Sequence, residues 1–146
     1  MDFTAPVSNY MSKKLLTVSP RDSMKAVKEI FDNNRIHHIP VVKYKTIVGI
    51  ISKADYLYFL RNVQSTEHLP LVEHESLEKF YVEDIMTTGM ATMESTERVN
   101  VALDVLSENL FHAIPIVDNG ELVGIFTTQD VIKILMEEDL VRMKSN

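Results

Sequence analysis

Two short segments of this chain pair a hydroxyl with a carboxylate at one fixed spacing. They are Ser52-Lys53-Ala54-Asp55 and Thr127-Thr128-Gln129-Asp130, each leading into an apolar run. A helix N-terminus presents free amides that attract phosphate, and a carboxylate held there can accept both hydroxyls of a ribose. The same spacing is also a capping-box-like helix start, which stabilises by about 1 kcal/mol without any ligand. Spacing alone leaves both readings open.

These segments are positioned by a duplication. Residues 7–60 overlie residues 82–135 at a constant offset of 75, without a gap. The offset matches Met11 with Met86, Thr17 with Thr92, Asn34 with Asn109, His37 with His112, Pro40 with Pro115, Gly49 with Gly124 and Asp55 with Asp130. Two copies of this length are too few for a solenoid. They fit two similar half-domains, each burying its apolar face against the other, with residues 61–81 as connector and 136–146 as a helical tail.

Each copy follows the pattern strand, helix, strand, strand, helix. A short apolar segment (Leu15 to Val18, Met90 to Met93) comes first. In the first copy Ser19-Pro20-Arg21-Asp22 has the form of a helix start, with a possible N-cap, a proline at the first helical position and an acid at the third. Met24, Val27, Ile30 and Phe31, and in the twin Val99, Ala102, Val105, Leu106 and Leu110, then recur at helical spacing. Two apolar runs follow. In the second copy Asp118-Asn119-Gly120-Glu121 joins them as a strong hairpin turn, whereas Lys43-Tyr44-Lys45-Thr46 is a poorer turn of no obvious geometry. Gly49 and Gly124 sit inside the next strand, where a missing side chain lets another group approach the backbone. The expected fold is α+β, two β-α-β-β-α repeats packed with pseudo-two-fold symmetry.

At 146 residues, 45% hydrophobic and 25% charged, the chain is one soluble module. It has no cysteine, no basic and apolar leader and no run long enough to span a bilayer, which fits the cytoplasm. A net charge of -6 argues against nonspecific nucleic-acid binding. The charge is uneven: residues 7–60 carry nine cations and four anions, residues 82–135 two cations and nine anions.

Val-x-x-x-Met at each start, Thr-Val-Ser-Pro and Thr-Met-Glu-Ser, His-x-Ile-Pro, and Gly-Ile-x-Ser/Thr-x-x-Asp occur in this order twice. Together they resemble the CBS domain, and the tandem resembles the CBS pair, or Bateman module, over nearly the whole chain. The resemblance implies a regulatory module, not an enzyme, that binds adenosine-containing ligands (AMP, ADP or ATP, with NAD or S-adenosylmethionine possible) in clefts between the copies. It implies Asp55 and Asp130 as ribose-diol acceptors, Ser52 and Thr127 with the helix amides on phosphate or ribose oxygens, and Thr17 and Thr92 beside the adenine. Ile36, His38, Ile39 and Pro40 would line one base pocket, and Phe111, Ala113, Ile114 and Pro115 the other.

The copies differ at these positions. Lys53 stands where Thr128 stands, and His38 where Ala113 stands. The Asp55 site is therefore expected to take the more phosphorylated ligand. His68 and His74, near Glu67, Glu73 and Glu75, offer a weak surface metal candidate that solvated loop residues explain better. His37 and His112 share a repeat position, which marks framework. No nucleophile-plus-base set stands out for catalysis. The resemblance also implies a homodimer through the apolar second helices. Complementary charge favours head-to-tail, although the same charges could complement each other within one chain. The regulated partner is not written in the residues. The short span before the first repeat fits a stand-alone regulatory protein and an excised piece equally.

Overall fold

A computed structural model of the chain describes residues 1–67, 76–108 and 112–146. The chain forms two compact units: Leu16–Met90 is one, and Met1–Leu15 joins Ala91–Asn146 in the other.

The Leu16–Met90 unit runs α1 (Met24–Asn33), β1 (His38–Lys43), β2 (Thr46–Ser52), α2 (Lys53–Glu67), a 3-10 turn (Ser76–Lys79) and the short α3 (Val82–Ile85). Met24, Val27 and Phe31 are buried from α1, as their spacing requires, against Ile39 and Val41 of β1, Ile51 of β2, and Tyr56, Phe59 and Val63 of α2. Tyr56 stacks on Phe31 with centroids 5.2 Å apart. Burial, with a contribution from the Asp32 charge, pushes its phenol up to about 12. This tyrosine belongs to the core.

The second unit carries α4 (Val99–Glu108), β3 (Ala113–Asp118), β4 (Glu121–Thr127) and α5 (Thr128–Ser145). Its core joins Ala102 and Leu106 to Ile114, Ile116 and Phe126, with Met93 and Val7. In both units the two named strands form an antiparallel hairpin with the same irregularity, at Val41/Val42 and at Ile116/Val117. The expected first strand shrinks in each copy to one parallel bridge, Val18 to Val41 and Met93 to Ile116.

The start of α1 corrects the sequence expectation. Residues 19–22 form a turn, in which the Ser19 amide donates to the Asp22 carboxylate at 2.8 Å, and the helix begins only at Met24. The reason is main-chain pairing. Met24 N donates to Phe80 O (2.8 Å), Val82 N to Asp22 O (2.8 Å) and Glu83 N to Pro20 O (2.9 Å). These bonds clamp residues 20–24 against residues 80–83, with Ser23 extended and bridged to Tyr81. Val99 N to Ala5 O (2.9 Å) and Val7 N to Glu97 O (2.7 Å) repeat the device in the second unit.

Each hairpin also receives a segment from the other copy's end of the chain. Ser12 and Ile125 exchange two backbone hydrogen bonds (2.9 and 3.0 Å), as do Thr87 and Ile50 (2.9 and 3.0 Å). The groups that use the two strand glycines are methionines: a Cβ on Gly124 would lie 2.5 Å from Met11 Sδ, and one on Gly49 2.5 Å from Met86 Sδ. Met11, at the head of the first repeat, thus packs on the hairpin of the second. Sequence repeat and compact unit do not coincide.

Both hairpin turns adopt the same left-handed pair of residues. Asn119 and Gly120 have φ of 52° and 79°, Tyr44 and Lys45 50° and 67°. Asn-Gly tolerates this geometry, whereas a residue with a Cβ pays roughly 1–2 kcal/mol for it. Lys45→Gly should therefore raise stability by about 1 kcal/mol, read as a higher urea midpoint at unchanged slope.

The charge contrast between the repeats softens in the fold. Arg21 pairs with Glu83 (3.1 Å) and Lys25 with Glu78 (3.1 Å), so cations of the first repeat meet acids from beyond it. Counted by compact unit, Leu16–Met90 has nine cations and ten anions, and the other unit six and eleven. Half-wide complementarity therefore does not decide how two copies meet.

Candidate functional site

In both units the second hairpin strand runs straight into a helix, and the candidate residues gather at that junction. The register sets His38 opposite Ser52, and Ala113 opposite Thr127. The first helical amide is already used: Lys53 N donates to His37 O (2.8 Å) and Thr128 N to His112 O (3.0 Å). His37 and His112 thus serve through their carbonyls, in keeping with a framework position.

Around α2, the Asp55 amide donates to Ser52 Oγ at 3.0 Å, a cap on the helix start. The Asp55 carboxylate accepts from Thr87 Oγ1 at 3.5 Å, the long limit of a hydrogen bond. Around α5 the cap is complete. The Asp130 amide donates to Thr127 Oγ1 (3.1 Å), while Asp130 Oδ2 accepts from the Thr127 amide (2.9 Å) and hydroxyl (3.0 Å). Asp130 Oδ1 accepts from Ser12 Oγ at 3.0 Å. One carboxylate is saturated by its own chain, and among the described residues its twin accepts one long contact.

The remaining candidates divide by strand alternation. Ile39 and Ile114 are 0% and 1% exposed and belong to the cores of their units, so they back the strands from behind. His38 and Pro40 alternate to the other side of β1 from Ile39, with Ile36 half-buried just before the strand. Ala113 and Pro115 are the buried counterparts in β3, and Phe111 lies outside the described residues. Thr17 and Thr92 are exposed and are carried to Pro40 and Pro115 by the bonds Val18 N to Pro40 O (3.1 Å) and Met93 N to Pro115 O (3.1 Å). Lys53 and Thr128 are half-buried at the first position of their helices.

Two functional candidates escaped the sequence reading. Ser12 and Thr87 each place a hydroxyl on the helix-start carboxylate of the repeat to which they do not belong. Both follow the matched methionines Met11 and Met86, so a hydroxyl recurring at that repeat position was the available signal. Ser12 also brings Lys13 and Lys14, exposed and next in sequence, toward the Asp130 end. Lys53 is not the sole ammonium to consider.

Among the described residues, no group of three or more His, Asp or Glu is arranged to hold a metal, and His68 and His74 lie outside them. No helix of the described residues is long and apolar enough to cross a membrane.

A duplicated hairpin-into-helix unit with an acid at the third helical position defines the class: a tandem α+β module. The family model of the CBS domain matches residues 7–62 and again 82–137, and the chain belongs to that family as a CBS pair. An uncharacterized Methanocaldococcus jannaschii protein, MJ1225, is 24% identical over 134 residues, covering 91% of this chain and 48% of its own length. The chain spans less than half the length of this and the next curated relatives it matches. The crystal structure of an uncharacterized conserved protein from Pyrococcus horikoshii is similar at 29% identity and a TM-score of 0.72, covering 92% of this chain and 94% of that one. CBSX2 of Arabidopsis thaliana, solved in complex with AMP, superposes with a TM-score of 0.73 at 24% identity, covering 92% and 98% of the two chains.

Proposed function

We propose that this CBS pair is a sensor module that binds adenosine-containing ligands, of the AMP, ADP and ATP class, at the starts of α2 and α5. It acts as a homodimer and passes the binding event to a partner protein. The observation that carries this reading is the duplicated meeting of a helix-start carboxylate with a hydroxyl from a distant segment, Asp55 with Thr87 and Asp130 with Ser12. Asp55 and Asp130 would accept the ribose diol; Ser52 and Thr127, with the helix amides left over from the bonds to His37 O, His112 O and the two cap hydroxyls, would hold phosphate or ribose oxygens. Thr17 with Ile36, His38 and Pro40, and Thr92 with Ala113 and Pro115, would flank the base. Phe111 completes the second wall on the strength of its repeat position. Ile39 and Ile114 would act from the core, as supports for their strands. Lys53 at one site, and Lys13 and Lys14 at the other, supply countercharge for phosphate. That the chain belongs to the same family as an AMP complex supports the ligand class.

The Asp55 site is the one poised for a ligand, because a ribose there displaces one long contact. At Asp130 a ribose must compete with three shorter bonds. A ligand changes the state of such a module only to the extent that it prefers one conformation. The role is regulatory and assigns no bond-making chemistry to these residues.

The saturated Asp130 favours a second reading, a protein-interaction module that needs no ligand. Thermal unfolding with AMP, ADP, ATP, NAD and S-adenosylmethionine separates the two. A true ligand at 100 times its dissociation constant adds about 2.7 kcal/mol to stability. A flat response to the whole panel would transfer the assignment to the interaction module.

A further inference from the structure

We propose that the tip of the first hairpin, Lys43-Tyr44-Lys45, is a docking point for a short acidic segment of a partner protein. The inference rests on the sensor reading in one respect, that the module reports to a partner, and it names the surface and the chemistry of that contact.

The hairpin of β1 and β2 turns through Tyr44 and Lys45 at φ of 50° and 67°, that of β3 and β4 through Asn119 and Gly120 at 52° and 79°. The register across the turn is the same, Lys43 opposite Thr46 and Asp118 opposite Glu121. The fold therefore accepts Asn-Gly, which adopts this geometry at little cost, and does not require Tyr-Lys, which adopts it under strain. Packing within the unit does not recover that strain. Tyr44 is 91% exposed, the highest value among the large apolar residues described, and Lys43, Lys45 and Thr46 are exposed beside it. Strain held without a packing return points to a contact with another molecule.

Charge names the partner. Residues 38–52 carry Lys43 and Lys45 and no acid, whereas the twin residues 113–127 carry Asp118 and Glu121 and no Lys or Arg. Among the described residues neither Lys43 nor Lys45 enters an ion pair, while Arg21, Lys25 and Lys28 of the same unit pair with Glu83, Glu78 and Asp32. A ring between two ammonium groups suits a segment in which an apolar side chain is flanked by carboxylates. The base of the hairpin is fixed, with Val41 buried and Val42 N donating to Val18 O at 2.8 Å, so docking orders little of the chain. Nonspecific nucleic-acid binding grows with the number of phosphates neutralised, and the tip offers two cations on a unit with nine cations and ten anions. A short acidic peptide asks for no more.

The test selects partners from a random peptide library displayed on phage, with the full chain as bait and a variant carrying Tyr44→Asn and Lys45→Gly as counter-bait. That variant installs the turn of the twin, so it should unfold at a higher urea concentration than the parent while losing the tip. Selected peptides should carry Asp or Glu around an apolar residue. Made synthetically, they should bind the parent less well as salt rises, and bind the variant and Lys43→Glu more weakly by roughly tenfold or more. Selected peptides without acids, or acidic peptides bound equally by parent and variant, would overturn the proposal. So would Tyr44-dependent binding of a thymidine oligonucleotide or of vesicles containing phosphatidylserine in place of peptide. Self-association that the parent shows and the variant loses would make a second copy the occupant, which also overturns it. The variant should keep the parent's thermal shift with ATP. A parent that responds to ATP but selects no acidic peptide sinks the docking inference alone. A parent that binds acidic peptide through the tip without any nucleotide response supports the docking inference and removes the nucleotide reading.

Discussion

Gly124→Ala will cost about 1–3 kcal/mol of stability, although it adds a single methyl group. The added Cβ would sit 2.5 Å from Met11 Sδ, 2.9 Å from its Cγ and 3.1 Å from its Cε, well inside van der Waals contact. The main chain beside the methionine is fixed by two backbone bonds between Ser12 and Ile125, so relief must come from rotation of the Met11 side chain out of its place against the core of the unit. In an open strand position glycine-to-alanine would instead help slightly, by restricting the unfolded chain. The sign of the change therefore tests the contact. Urea unfolding should show a lower midpoint, and Met11→Ala in the same chain should recover part of the loss. Strict additivity of the two substitutions would mean that the two residues do not touch. Gly49→Ala should behave alike, since Met86 Sδ and Cγ stand at the same 2.5 and 2.9 Å.

Asp55→Ala and Asp130→Ala should fail in different ways. Without ligand, Asp130→Ala removes the acceptor of the capping box and should cost about 1 kcal/mol. Among the described residues Asp55→Ala loses the 3.5 Å contact from Thr87 and keeps the Ser52 cap, which uses the Asp55 backbone amide, so it should melt close to the parent. With nucleotide the order reverses. Asp55→Ala should forfeit most of the roughly 2.7 kcal/mol that a saturating ligand at 100 times its dissociation constant confers, while Asp130→Ala keeps much of it. Thermal shifts of both variants with and without ATP decide this. Equal loss of nucleotide response in the two would refute the asymmetry between the sites.

The duplication made much of this architecture readable. The apolar periods of α1 and α4, the Asn119-Gly120 turn and the hydroxyl-to-acid spacing before α2 and α5 are local properties, and local physics placed them correctly. Tyr44-Lys45 hid its turn because neither residue favours positive φ; the hairpin imposes it. The start of α1 was misjudged because Pro20 signals a helix locally, whereas residues 80–83 claim the neighbouring backbone for extended pairing. The exchange of Met11 and Met86 between hairpins was illegible for a deeper reason. A perfect repeat says which positions are equivalent but not which copy of a segment packs on which hairpin. Ser12 and Thr87 were overlooked with them, and they are the residues that complete the candidate sites. Likewise, Ile39 and Ile114 share a motif with pocket residues, yet alternation turns them into the core.

The whole account turns on what the carboxylate of Asp55 holds, and a crystal structure grown with AMP in excess answers that directly. The expected result is a ribose whose two hydroxyls lie within hydrogen-bonding distance of the Asp55 oxygens, with the Thr87 contact opened and phosphate near Ser52 and Lys53. A structure in which Asp55 still faces Thr87, with no nucleotide at either helix start, would contradict it.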